Sequence, residues 1–366
     1  MHIALQREEI LKPLGYVAGV VEKRQTLPIL SFILLREQGG ELTLTGTDLE
    51  VEIITKVGTK AQGMESITLP ARKLFDICRA LPEAASIDLR KDGDKAIIKS
   101  GKSRFSLLTL PVSDFPSIQT SQWDLTIKIK QGDLKRLLTQ THFCMAQQDM
   151  RYFLNGLLFE FGPNRLRVVG TDGHRMAISD AVLENPINTP KQAIVPRKGV
   201  HEMSRLLEDA DNTVEVSLNQ NHIQVRSDSF TFTSKLIDGK YPDYAKVVPA
   251  SQSKIIHIGR DTMREALSRT AILSNEKYRG VRLVLDDKTL KISAHNPEQE
   301  EAQEEIAADY AGDTLEIGFN VSYMIEAISA LQGDKVVLGM SDANSSCTIS
   351  APEAKTPLYV IMPMRL

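Results

Sequence analysis

In the segment Thr171-Asp172-Gly173-His174-Arg175 a carboxylate lies two residues from an imidazole, the pair a hydrolase uses to orient a general base. Such a pair needs a nucleophile or a metal. The chain has no Gly-x-Ser-x-Gly segment, no His-Glu-x-x-His, no phosphate-binding loop and no dinucleotide-binding glycine pattern. The related segment Gly46-Thr47-Asp48 lacks the histidine altogether. Asp and Gly are also turn residues, so a turn beside a binding surface explains Asp172 and His174 better than catalysis does. Cys78, Cys144 and Cys347 are widely spaced with no Cys-x-x-Cys, which argues against a disulfide framework or a thiolate zinc site. They read as small buried hydrophobes. No catalytic residue, metal or cofactor is expected.

A second chemistry is cationic. Arg24, Arg72, Lys73, Arg79, Lys135, Arg136, Arg197, Lys198, Arg205 and Arg264 fall on or beside amphipathic helical segments. Two readings stand: an ordinary solvated helix face, or diffuse positive charge that meets phosphate oxygens without reading bases. The whole chain has 44 Lys and Arg against 47 Asp and Glu, a net charge of −3. That balance speaks against a protein that wraps nucleic acid in positive charge. A protein that encloses its nucleic acid needs no such excess.

The elements that position these residues recur three times. REEILKPLGYVAGVV, GDLKRLLTQTHFCMA and RDTMREALSRTAILS each show one apolar stripe at helical spacing, such as Ile10, Leu14, Val17, Ala18 and Val21. Strand patterns follow and close on Gly46-Thr47-Asp48, Gly170-Thr171-Asp172 and His295-Asn296. The steps from Asp48 to Asp172 and from Asp172 to Asn296 are both 124 residues. A second helix follows in each copy: LPARKLFDICRALPE, VPRKGVHEMSRLLED and FNVSYMIEAISALQGD. Pro70 and Pro196 stand just before two of them, where proline costs little. Val214, Val216 and Leu218, then Ile223 and Val225, then Phe230 and Phe232 alternate as strands with one buried face, with a hairpin turn at Asn219–Asn221. The expected fold is α+β: three tandem domains, 1–124, 125–252 and 253–366, each with two helices packed on antiparallel sheets of about eight strands. The N-terminus MHIALQREEI lacks the apolar core of a signal peptide and no long apolar run spans a membrane, so a cytoplasmic location is expected.

The residues that carry a resemblance run the length of the chain. They are TLPIL (26–30), LTGTDLE (44–50), SRFSL (103–107), DFP (114–116), RYFLNG (151–156), TDGHR (171–175) and VPRKGV (195–200). FTSKLIDGKYPDY (232–244), AILSNEKYRGVRL (271–283), NPEQEEA (296–302), GFNVSY (318–323) and VIMPMRL (360–366) complete them. In this order they resemble the beta sliding clamps of bacterial DNA polymerase III. The resemblance implies a head-to-tail homodimer closed into a ring of six similar domains, with helices lining the hole and sheets forming the rim. It implies that the ring encircles duplex DNA without sequence preference and confers processivity on the replicative polymerase. The implied partners are the polymerase alpha subunit, a clamp loader, translesion polymerases, mismatch repair proteins and ligase, with no membrane partner.

The same resemblance assigns sites. The ten helical cations above, with Gln148, Tyr152 and Phe153, would touch DNA. Phe153 stands where relatives often carry tyrosine, so a hydroxyl contact is lost there while an aromatic face remains. A partner-peptide pocket would be built from Leu154, Thr171, Gly173, His174, Arg175, Met176, Pro242, Lys246, Val247, Asn320, Tyr323, Ser346, Val360, Met362, Pro363, Met364, Arg365 and Leu366. Lys246 replaces an expected arginine, keeping the charge without the planar fork. VIMPM also reads as a final core strand, and one strand can serve both roles. The subunit seam would join Lys102, Arg104, Phe105 and Leu107 to Ile272, Leu273, Glu298, Glu300, Glu301 and Glu304. The alternative for PEQEEAQEE is a solvated acidic run. Two rivals remain: an enzyme centred on Asp172 and His174, and a sequence-specific DNA binder with a recognition helix. Neither requires a threefold repeat.

Overall fold

The computed structural model describes residues 2–21, 27–38, 40–58, 66–118, 122–187 and 189–365. Among them the chain repeats one order of elements three times: strand, helix, four strands, helix, three strands. The first copy holds β1 (His2–Gln6), α1 (Arg7–Val20), β2 (Phe32–Gln38), β3 (Glu41–Thr47), β4 (Val51–Gly58), β5 (Ile67–Pro70), α2 (Ala71–Ala80), β6 (Ser86–Asp92), β7 (Lys95–Ser100) and β8 (Ser103–Leu108). The second holds β9 (Leu125–Lys130), α3 (Gln131–Thr141), β10 (Gly156–Phe161), β11 (Arg165–Thr171), β12 (Arg175–Val182), β13 (Lys191–Pro196), α4 (Arg197–Leu206), β14 (Thr213–Leu218), β15 (His222–Arg226) and β16 (Phe230–Lys235). The third holds β17 (Lys254–Gly259), α5 (Arg260–Thr270), β18 (Gly280–Asp286), β19 (Thr289–His295), β20 (Glu301–Ala307), β21 (Leu315–Asn320), α6 (Val321–Ser329), β22 (Lys335–Met340), β23 (Cys347–Ser350) and β24 (Leu358–Ile361).

The helices form where the apolar spacing places them. Ile10, Leu14, Val17 and Ala18 of α1 are buried, as are Leu134, Leu137 and Leu138 of α3 and Met263, Ala266 and Leu267 of α5. The first helix of copies two and three is shorter than the periodic segment. Past Thr141 and Thr270 the chain tightens into short 3-10 turns, His142–Cys144 and Ala271–Leu273. Such tightening is common at helix ends, where the last carbonyls lack intrahelical partners. Asn320 caps α6, its Oδ1 accepting the N–H groups of Ser322 (3.0 Å) and Tyr323 (3.3 Å).

The copies and the compact units of the fold divide the chain differently. One unit comprises residues 1–133 and 198–236, the other 134–197 and 237–366. The first unit contains a four-stranded sheet, β1-β6-β7-β8, and an eight-stranded sheet, β5-β2-β3-β4-β16-β15-β14-β9. The second contains β13-β10-β11-β12-β24-β23-β22-β17 and the four-stranded β20-β19-β18-β21. Each eight-stranded sheet is two half-sheets from consecutive copies, joined by the fourth strand of one copy and the eighth of the next. Ile53 lies opposite Phe232 at the β4–β16 join, and Met176 opposite Val360 at β12–β24. Backbone hydrogen bonding thus crosses the copy boundary. By the same order β20 and β8 are the remaining fourth and eighth strands, and each is the outer strand of its sheet.

Candidate partner and nucleic-acid surfaces

The Gly-Thr-Asp motif is a turn built twice with the same bonds. In copy one the Thr47 hydroxyl donates to the Val51 carbonyl (2.9 Å), and Asp48 Oδ1 accepts the N–H groups of Glu50 (2.9 Å) and Val51 (2.7 Å). In copy two Thr171 donates to the Arg175 carbonyl (2.6 Å), and Asp172 Oδ1 accepts from His174 (2.8 Å) and Arg175 (3.0 Å). Leu49 and Gly173 hold the same left-handed position, at φ 77° and 88°. The glycine before each motif has a steric cause. A Cβ on Gly46 would lie 2.8 Å from the Val17 carbonyl oxygen, and one on Gly170 would lie 2.7 Å from that of Thr141. Each first helix therefore sits directly on its strand.

The turn carries no hydrolase dyad. Asp172 spends one oxygen on backbone amides and the other on Arg175 Nε at 3.1 Å, while its neighbour His174 is exposed. Arg175 is the centre of the local network. It pairs with Asp172 and Glu326, donates to the Phe143 carbonyl (2.6 Å), and stacks 4.2 Å from the Tyr323 ring centre. Its side chain is only 12% exposed and its charge is paired, so Arg175 holds the turn against α6.

Above this turn lies an apolar cluster of Ala146, Leu154, Leu158, Val169, Met176, Ile178, Ile194, Tyr241 and Val360, with Phe153, Ile237, Tyr244 and Val248 packed on its edge. Three expected pocket residues, Leu154, Met176 and Val360, meet here. The final strand β24 serves two sides. Val360 belongs to this cluster, while Tyr359 and Ile361 lie in the core of the third copy. Around the cluster stand exposed Pro242, Val247, Met362 and His174. The tail is fixed by its backbone: Met362 N–H donates to the His174 carbonyl (2.9 Å) and Met364 N–H to the Gly318 carbonyl (2.9 Å). Lys246 pairs with Asp243 at 3.0 Å and is 81% exposed, so its charge faces solvent. Thr171, Ser346, Pro363 and Met364 are half-buried, Arg365 is exposed, and Asn320 spends its side chain on the α6 cap. Leu366 lies outside the described residues.

Sequence reasoning missed Tyr241. Its buried hydroxyl accepts the Thr171 N–H at 3.1 Å, tying the exit segment to the turn. The signal was present. Phe115-Pro116 and Tyr241-Pro242 stand at corresponding exits, and Phe115 packs on Ile29, Leu30 and Phe32 in copy one.

The expected DNA contacts divide by what else they hold. Lys73 is exposed and Lys135 half-buried. Arg72 donates to the Val21 carbonyl (3.1 Å), Arg79 pairs with Asp76 (2.9 Å), and Arg264 lies 3.5 Å from Asp261. Arg205 pairs with Glu202 and reaches the Gly15 carbonyl (3.2 Å), and Lys198 pairs with Asp48. Arg197 donates to the Met145 carbonyl (3.4 Å). Arg136 reaches the Asp180 carbonyl (3.2 Å) and the Gln140 side chain (3.3 Å), an inward placement suited to holding α3 on β12. Gln148, at φ 55°, and the 57% exposed Tyr152 belong to one projecting loop, while Phe153 is turned toward the apolar cluster. In that loop Arg151 holds the Asp149 carboxyl down at about 2. Arg24 lies outside the described residues.

The expected seam residues lie on two strands and their flanks. Lys102 and Arg104 are exposed and Phe105 is half-buried on β8. Leu107 is 8% exposed in the single chain, and the next residue, Leu108, is 52% exposed. The two side chains lie on opposite faces, as neighbours on a strand do. Ile272 is 75% exposed and Leu273 half-buried. Glu298, Glu300 and Glu301 are exposed, and Glu300 accepts from Asn296 Nδ2 at 2.6 Å. Glu304 is engaged by Arg269 at 2.7 Å within the chain, which lowers its pKa.

Three family models match in sequence: the N-terminal domain of the DNA polymerase III beta subunit over residues 1–119, the central domain over 128–243 and the C-terminal domain over 245–365. The chain is 52% identical to the beta sliding clamp of Pseudomonas putida and 45% identical to that of Escherichia coli, each over the full length of both proteins. The crystal structure of the DNA polymerase III subunit beta from Pseudomonas aeruginosa superposes with a TM-score of 0.96 at 50% identity, covering both chains completely. That clamp bound to griselimycin gives 0.97 with the same identity and coverage. A threefold clamp fold with these matches defines the class of DNA sliding clamps. The chain belongs to the DNA polymerase III beta subunit family. Its function is that of a sliding clamp in DNA replication, a processivity factor and not an enzyme.

Proposed function

We propose that two copies close head to tail into a ring around duplex DNA. The observation that carries this is the repeated edge pairing. The fourth strand of each of the first two copies is already joined to the eighth strand of the next copy, and among the described fourth and eighth strands β20 and β8 are the two left without such a join. A head-to-tail contact between β20 of one copy and β8 of another would complete a third eight-stranded join and leave no open edge at that seam. Phe105 and the exposed Leu108 would stand on one side of it and Ile272 and Leu273 on the other, with Lys102 and Arg104 facing Glu298, Glu300 and Glu301. The acidic neighbourhood of β20 and the basic one of β8 support that polarity.

In this reading the domains divide as 1–124, 125–252 and 253–366. The ring holds DNA by topology, and the helical cations with the Gln148–Phe153 loop supply weak phosphate contacts compatible with sliding. A clamp loader opens one seam, the ring closes on DNA, and the polymerase alpha subunit docks a short peptide on the apolar cluster at β12–β24. Other replication and repair proteins use the same pocket, and the protein works in the cytoplasm. Docking raises processivity because a tethered polymerase rebinds as an intramolecular event. The griselimycin-bound relative supports a ligand-accepting surface in this family. The test is retention on DNA at moderate salt. Loaded onto a primed circle with a clamp loader, the protein stays on the circle and leaves once the circle is cut. Equal retention on both forms would mean that contacts rather than topology hold it.

A further inference from the structure

A cleft of about 380 Å³ lies in the C-terminal copy beside the tail, lined among others by Tyr278, Arg282, His295, Pro297, Met364 and Arg365. Its floor is one face of the β20-β19-β18-β21 sheet. Gly280 and Arg282 reach it, alternating with Val281 and Leu283, whose side chains are buried with those of α5 and α6. One wall is preformed. Asn275 Oδ1 accepts the N–H groups of Lys277 (2.9 Å) and Tyr278 (3.0 Å), and the Arg279 N–H returns to the Asn275 carbonyl (2.8 Å). The other wall is the tail itself, fixed at Met364 by Gly318.

The lining holds Arg282, Arg365 and His295 and no carboxylate. Arg282 shares its charge with Glu316 at 2.8 Å, and Glu300 is held at the far lip by Asn296. Arg365 is exposed and pairs with no carboxylate among the described residues. The exposed ring of Tyr278 has Lys277 5.3 Å from its centre, which adds positive charge to that wall. The cleft also shares residues with the expected peptide pocket. Met364 and Arg365 belong to both, and Asn320, the cap of α6 beside Tyr323, donates to the Tyr278 carbonyl at 3.3 Å.

We propose that this cleft takes an acidic flank of the docked partner peptide, a few residues beyond the segment that fills the apolar pocket, with carboxylates toward Arg365 and Arg282 and an apolar or aromatic side chain against Tyr278. The inference rests on the pocket reading above and deepens it, because it makes the sequence outside the core segment a determinant of which partner wins. Two contacts of this exposed kind are worth about a fivefold change in affinity.

The experiment uses the full-length protein and fluorescent peptides carrying the polymerase's clamp-binding segment. One is short, and others bear an added Phe with three Glu and Asp residues at one end or the other. One acidic extension tightens binding about fivefold at low salt, and a lysine extension at that end does not. The gain disappears in Tyr278→Ala and in Arg282→Gln, while the short peptide binds these variants as it binds the parent. Equal affinity of all peptides overturns the inference and leaves the pocket reading intact. A gain that survives both substitutions places the acidic flank elsewhere. If the short peptide fails to bind, or griselimycin does not compete with it, the pocket reading falls and this inference with it.

Discussion

At the residue scale, one contact distance explains a repeated letter. Gly46 and Gly170 recur because a helix carbonyl lies where a Cβ would stand. Ala294 occupies the corresponding position in copy three, so the requirement belongs to the first two helices and not to the motif as such. Gly170→Ala should lower stability by about 2 kcal/mol, the usual scale of overpacking against backbone. Chemical denaturation reads this directly, and an unchanged midpoint would mean that α3 shifts freely. Arg175 is a second such residue. Removing its side chain leaves Asp172 Oδ2 and the Phe143 carbonyl without that donor in a half-buried setting, and Arg175→Ala should lose about 2 kcal/mol. Arg175→Lys should recover only part, since one ammonium replaces a fork that also stacks on Tyr323.

At the element scale, the joins between copies carry the load. Glu52 sits in the β4–β16 join opposite Thr233, at the position Met176 takes in the second join. Burial pushes its carboxyl above the ordinary 4.5, and the Ile118 N–H at 3.2 Å offsets only part of this. The folded state therefore holds this proton more tightly than the unfolded chain. Its stabilising contribution is full below about 4.5 and is lost as pH rises from there through the raised native value. Glu52→Gln should accordingly unfold at a higher temperature than the parent at pH 7, with the gap closing in acid. A gap independent of pH would show that Glu52 acts through shape and not through charge. The edge strand β8 gives the other prediction. Leu108→Asp replaces an exposed apolar side chain on it by a charge and should move the proposed dimer to monomer in light scattering, with the unfolding midpoint little changed.

At the scale of the whole molecule, the division into three copies and the division into two compact units differ because the sheets ignore the copy boundaries. Residues 134–197 of the central copy share a core with the third, and 198–236 share one with the first. A strand-to-strand join is continuous backbone hydrogen bonding, so unfolding of neighbouring copies should be coupled. The ring reading adds the circle-against-linear retention described above. Its salt dependence should be shallow, because Arg79, Arg205 and Lys198 already answer to carboxylates within the chain.

The sequence by itself determined the repeat, the helices and the strand faces. Periods of 3.6 and 2 and a spacing of 124 are local or additive properties of the chain. It also named Leu154, Met176 and Val360 as one site, through resemblance. Tertiary structure alone decided what those letters do. Arg136 reads as a DNA contact, Arg175 as a pocket residue and Glu304 as a seam charge, yet each is also bound within the chain to groups distant in sequence. Leu107 is covered and Leu108 open because only strand pairing fixes which face of β8 is covered. Which edges meet between copies, and so where the apolar cluster forms, depends on long-range hydrogen bonds that no window of sequence contains.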